Sequence, residues 1–253
     1  MMAKETKIKG SVKFCRLTVF LMLTAGCTHY YYAPNMHNVP LFQQKEELHL
    51  NLSGSAGNEF SAGELQAAYA PADHFGIMVN GFLVDRKQNT EDEYGRGYLV
   101  EGGAGTFVLL DSNLIFESWL GLGYGKVENG YGNASASVLQ FNRYFFQPSL
   151  GYTSDYFDFA VSLRFSGLRY NDIRLTGTLV QRDHDEIEYI NRNPFSLIIE
   201  PAFTLRVGWE YLKFQGQFGY SRNITNPELK QEELNLNVGL YITISDKYSK
   251  KKR

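Results

Sequence analysis

Three stretches of this 253-residue chain hold residue types that could do chemistry. The first is Ala25-Gly26-Cys27, where a thiol follows a short apolar run and two small residues. The second is Gly121-Leu-Gly-Tyr-Gly-Lys126, a glycine-rich run beside a lysine, of the kind that cradles phosphate. Its glycines recur at every second residue, which lines them along one face of a strand. The strand–loop–helix context of a phosphate loop does not surround them, and that reading is rejected. The third is Asp183-His184-Asp185-Glu186. Carboxylates beside a histidine could bind a divalent cation or serve as general acid and base, which makes Asp183, His184 and Asp185 a speculative loop site. The plainer reading of such a charge run is a solvated acidic loop. His49 and His74 stand alone and read as strand and turn residues, and no Ser-His-Asp arrangement is legible. No catalytic, cofactor-binding or metal residue is assigned.

The elements around the thiol decide its meaning. Leu17 to Leu23 is too short to span a bilayer, which takes about 20 apolar residues. It follows Lys4, Lys7, Lys9, Lys13 and Arg16, so residues 1-26 read as an export signal. Leu23-Thr24-Ala25-Gly26-Cys27 resembles the lipobox of bacterial lipoproteins, in which the cysteine is lipidated and becomes the mature N-terminus. The other cysteine, Cys15, lies inside the leader. The exported chain therefore has no disulfide to form, and Cys27 reads as an anchor carrying a covalent N-terminal lipid. Removing the leader takes five of the 25 Lys and Arg and one of the 27 Asp and Glu, leaving 20 against 26, a net of −6. That balance argues against nucleic acid as a partner. The basic tail 247-253 reads as a solvated end.

With 24 Gly, 17 Tyr and 18 Phe, the composition is that of an all-β chain. Strands are expected at about 45-53, 60-70, 76-86, 97-110, 114-128, 137-152, 157-171, 195-208, 210-221 and 233-245. Their connectors alternate between tight turns and longer polar loops, the pattern of an outer-membrane barrel with periplasmic turns and extracellular loops. The fold expected is an antiparallel up-and-down (meander) transmembrane β-barrel of about ten strands, occupying 45-246. Residues 27-44, with Pro34 and Pro40 and no alternation, are expected to form a periplasmic tether, with both termini in the periplasm.

Within the strands, period-2 alternation separates two faces. Leu234, Leu236, Val238, Leu240, Ile242 and Ile244 oppose Asn235, Asn237, Gly239, Tyr241 and Thr243. The sixth strand is untidy, because Leu139 and Phe141 break the phase of Phe146, Pro148 and Leu150, and a bulge there would explain it. Glycines and serines share the polar face with Glu101, Glu117, Arg143, Arg164, Glu200, Arg206 and Lys213. Large charges beside tiny residues suit a crowded lumen, where acids and bases can pair. Aromatics gather at the strand ends: Tyr69, Phe75, Tyr152, Tyr156, Trp209 and Tyr211 on the turn side, Tyr98, Tyr124, Tyr144, Tyr170 and Tyr220 on the loop side. Two such girdles mark the interfaces with lipid.

The chain resembles the small lipidated outer-membrane β-barrel proteins of Bacteroidota. The resemblance rests on Cys27-Thr-His-Tyr-Tyr-Tyr-Ala-Pro-Asn with Val39-Pro40-Leu41-Phe42, on Leu65-Gln-Ala-Ala-Tyr-Ala and on Leu234-Asn-Leu-Asn-Val-Gly-Leu-Tyr. That family brings no settled activity with it. The expected function is a non-enzymatic accessory, structural or surface interaction component with a largely filled polar lumen and no cofactor. Its partners would be outer-membrane lipid and an envelope protein. Two alternatives stand beside it: an outer-membrane enzyme with its site near Asp183-His184-Asp185, and a periplasmic lipocalin-like lipoprotein carrying an apolar ligand.

Overall fold

The computed structural model describes residues 29–56, 61–87 and 93–245. The leader, Cys27 and the basic tail lie outside the described residues. The strands are β1 Leu48–Ala56, β2 Ser61–Ala72, β3 Phe75–Lys87, β4 Glu93–Leu109, β5 Leu114–Tyr131, β6 Ala136–Thr153 and β7 Phe157–Thr176. They are followed by the helix α1 Gln181–Arg192, then β8 Phe195–Trp209, β9 Leu212–Tyr220, the two-residue β10 Arg222–Asn223 and β11 Leu234–Ile244. Consecutive strands pair antiparallel from β1 to β9. β11 then pairs with β9 on one side and β1 on the other. The sheet is thereby closed into an up-and-down barrel of ten long strands with no free edge.

The expected strands are all present, and the expected sorting of connectors holds. Tight turns link β2 to β3, β4 to β5, β6 to β7 and β8 to β9 at one end, where β1 also begins and β11 finishes. At the other end lie the longer connections. The longest, expected as plain loop over 172–194, instead continues β7 to Thr176 and then forms α1.

Burial settles which face is inside. Leu236 and Val238 are each 67 % exposed, and Leu83 and Leu122 each 66 %, whereas Glu117 and Arg143 are completely buried. A soluble barrel would reverse this arrangement, so the lipocalin-like alternative fails. A continuous apolar outer belt is untenable in water and is what a bilayer-spanning barrel presents to lipid. No helix among the described residues is long and apolar enough to cross a membrane. The crossing is made by strands, which satisfy their backbone groups around the closed ring.

Two details differ from the expectation. β6 keeps one phase throughout, with Leu139, Phe141, Arg143 and Phe145 all inward. The irregularity lies on its partner: Gln140 faces Asp172 and Phe141 faces Tyr170, leaving Asn171 of β7 as the extra residue. Leu139 and Phe141 look out of phase only because an apolar layer lies inside the barrel as well as outside. Tyr170, assigned to the outer girdle, belongs to that inner layer and is buried. Of the other girdle residues, all are exposed except Tyr220, which is half-buried.

Candidate functional site

The lumen is occupied by the chain itself. Residues 29–47, which include the described part of the tether expected over 27-44, run through it from the loop end to the turn end. His29 meets the carbonyl of Gly130 at the far end of β5 (3.1 Å), and the Tyr31 amide donates to the Lys230 carbonyl at 2.9 Å. At the opposite end the Phe42 amide donates to Glu117 near the start of β5 (3.1 Å), and the Glu46 amide donates to the Ala70 carbonyl at 2.7 Å. Tyr31, Tyr32, Met36, Val39, Leu41 and Phe42 are all buried. A tether of Gly and Ser would have kept its freedom. This segment carries too much aromatic and aliphatic surface to remain in water.

An extended chain inside a barrel has no neighbouring strand, so its peptide groups need other partners. The wall supplies them. Seven consecutive carbonyls, from Pro34 to Pro40, each accept a hydrogen bond from a wall side chain. The donors are, in order, Asn235 (2.6 Å), Arg164 (2.9 Å), Gln66 (3.2 Å), Gln217 (3.0 Å), Gln147 (2.8 Å), Arg206 (2.7 Å) and Tyr241 (2.7 Å). Met36 and His37 donate their amides to Glu64 (2.9 Å) and Gln217 (2.6 Å). These contacts stand in for the hydrogen bonds that an exposed chain makes to water, and a buried peptide left unpaired would cost about 1–3 kcal/mol.

The seven luminal charges named from sequence all point inward and are buried. Six of them, with Asp158, form two ionic groups. Near the middle, Arg143 pairs with Glu101, while Arg164 pairs with Glu200 at 2.8 Å and lies 3.9 Å from Glu101. Tyr32 and Asn35 of the threaded segment sit inside this group. Tyr32 donates to Glu200 and accepts from Arg143, both at 2.9 Å, and Asn35 donates to Glu101 at 3.0 Å. Nearer the turn end, Asp158 holds Lys213 and lies 3.7 Å from Arg206. Glu117 stands apart from both groups and accepts the Phe42 amide. The sequence reading assigns no role to Asp158, Glu64 or the amides Gln66, Asn80, Gln147, Gln217 and Asn235. Their signal was present, since each occupies an inward position of the alternation.

Apolar layers close the lumen above and below the charges. Toward the turns, Phe42 packs against Phe107 and Trp119 with ring centroids 5.4 and 6.2 Å apart. Toward the loops, Tyr31, Tyr32, Leu139, Phe141, Leu168 and Tyr170 pack with Ile187 and Ile190 of α1. The glycine run on β5 makes room for this packing. A Cβ on Gly121 would stand 2.2 Å from the Phe145 ring, and one on Gly125 2.3 Å from Phe141. Close ring approach, rather than phosphate binding, explains those glycines. Between the segment and the β2–β4 wall a small apolar cavity of about 70 Å³ remains, bordered by Phe82, Leu99 and Phe141.

The speculative site on 183–185 is divided by the helix. Asp183 turns inward to stand 4.0 Å from His29. Burial raises the pKa of Asp183 and lowers that of His29. His184 and Asp185 face solvent instead, together with Glu188, their ligating atoms within 4.8 Å of one another. Gln181 already donates to Asp185 (2.7 Å), and Arg192 donates to Glu188. His49 and His74 lie in a strand and a turn as expected. His49 is buried against Tyr241 and Glu47, and His74 has the left-handed φ of 62° that its tight turn needs.

A closed antiparallel barrel with an apolar belt and a polar lumen is an outer-membrane-type β-barrel. Several solved structures align with most of the chain. The KdgM porin aligns over 78 % of this chain and 99 % of its own at 13 % identity and a TM-score of 0.36. The COG4313 outer membrane channel from Pseudomonas putida F1 covers 83 % and 99 % at 11 % identity and a TM-score of 0.41. LpxR from Salmonella typhimurium covers 79 % and 99 % at 7 % identity and a TM-score of 0.38. Likeness at this level assigns no activity. No family model matches the chain, and no curated protein sequence does.

Proposed function

We propose that this chain is a lipid-anchored outer-membrane barrel that conducts nothing, because its own N-terminal segment fills it. On this reading it acts, without catalysis, as an accessory, structural or surface interaction component of the envelope. The observation that carries the reading is the unbroken set of wall side chains bonded to the carbonyls of Pro34 to Pro40. A segment held this way is a built part of the barrel and occupies the path a solute would take. What remains available for recognition is the loop-end face, formed by α1 and the connection 221–233.

Planar-bilayer recording of the purified protein tests this. Inserted barrels should carry no steady current across a range of voltages. A stable, ohmic open-channel current from the wild-type chain would overturn it.

A further inference from the structure

The direction in which the segment crosses the lumen fixes the side on which the chain begins. The polypeptide enters at the loop end, beside Gly130, Tyr131 and Lys230, and reaches the turn end only at Phe42 to Glu47. We propose that the mature N-terminus lies on the loop face of the membrane, opposite the C-terminal end of β11, and that the Cys27 lipid is carried there with it. The proposal rests on the outer-membrane reading, in which the loop face is the outer one.

Distance decides between the two faces. Cys27 is two residues before His29, and two extended residues reach at most about 7 Å. A bilayer core is about 30 Å thick. A stub of that length at the loop mouth cannot pass back through a lumen already filled by residues 30–44. Nor is the mouth a loose fit. His29 is buried there against the tilted ring of Tyr131, with centroids 4.3 Å apart. The Tyr31 hydroxyl donates to Glu186 of α1 at 3.2 Å, and the Glu232 amide donates to the Tyr32 carbonyl at 3.0 Å. These contacts come from three separate loop-end elements, so the entry point is specified by the fold. An ordinary periplasm-facing lipoprotein anchor would need the segment to cross in the opposite direction. The lipid and the barrel then act at the same surface, and the N-terminal residues add to the face left open for a partner.

The test places a short epitope directly after Cys27 and compares it with reference insertions at two other positions. One reference lies between Asp111 and Ser112 at an exposed turn, the other between Pro227 and Glu228 at an exposed loop. Antibody is applied to intact and to permeabilised cells. The N-terminal epitope is expected to be labelled on intact cells, as the loop epitope is, while the turn epitope is labelled only after permeabilisation. If it behaves as the turn epitope does, the proposal is overturned. Loop and turn epitopes labelled alike would overturn the outer-membrane reading and the proposal together. Should the insertion after Cys27 block folding, Thr28→Cys in a Cys15→Ser, Cys27→Ala chain gives the same comparison with a membrane-impermeant maleimide. Labelling of intact cells supports the proposal, and labelling only after lysis overturns it.

Discussion

The two mouths of the barrel are closed by different means. At the turn end, Phe42 is wholly buried among Phe107, Trp119 and His49, and the segment hands directly into β1 through bonds between Glu46, Glu47 and Ala70. That end has the character of a protein core. At the loop end the closure is a lid, in which α1 lays Ile187 and Ile190 over the aromatic layer. Its outer side is tied by ion pairs such as Lys230 with Glu186, both partly open to water. The small apolar cavity lies toward the same end, bordered by Tyr30 and Arg86. Dense packing thus seals the turn end, while the loop end adds to its apolar layer ion pairs that solvent weakens.

The largest effect is expected from Phe42→Ala. It removes a buried ring from a packed layer that cannot collapse, because strands fix the wall around it. A loss of about 3–5 kcal/mol is expected, read from the urea midpoint of the barrel folded in phospholipid vesicles. Much smaller is the effect of Lys230→Gln at the other mouth. A partly exposed pair is screened by water, and its loss should cost less than about 1 kcal/mol in the same titration. Comparable losses from the two variants would break the contrast, since the lid would then be as much a core as the turn end.

Much of this architecture was legible in sequence, and the illegible parts have a common cause. The strands stand out because each sorts apolar residues to lipid and polar residues to the lumen, as Leu234 to Ile244 do without interruption. The seven luminal charges follow from the same alternation. The threaded segment obeys no period, because its carbonyls from Pro34 to Pro40 answer to individual wall side chains and not to a neighbouring strand. Its composition was the available signal: Tyr30, Tyr31, Tyr32, Met36, Val39, Leu41 and Phe42 are too apolar for a solvated tether. Leu139, Phe141 and Tyr170 cannot be placed from sequence for a related reason. Alternation alone cannot separate an apolar residue facing lipid from one facing an apolar plug. The helix did leave a trace, in Arg182 with Glu186 and Glu188 with Arg192 at four-residue spacing, and in Ile187 with Ile190 on one face. Acidic residues dominate that stretch and drew attention to metal or acid–base chemistry instead.

A lumen filled by its own chain requires the segment to be bound along its whole length. Hydrogen exchange of the barrel in vesicles tests this at individual amides, those of Met36, His37 and Phe42, which donate to Glu64, Gln217 and Glu117. They should be protected as strongly as the strand amides of β5 and β6 and should open only with the whole barrel. Exchange at the rate of an unstructured peptide, with the strands still protected, would mean that the lumen is not filled by its own chain.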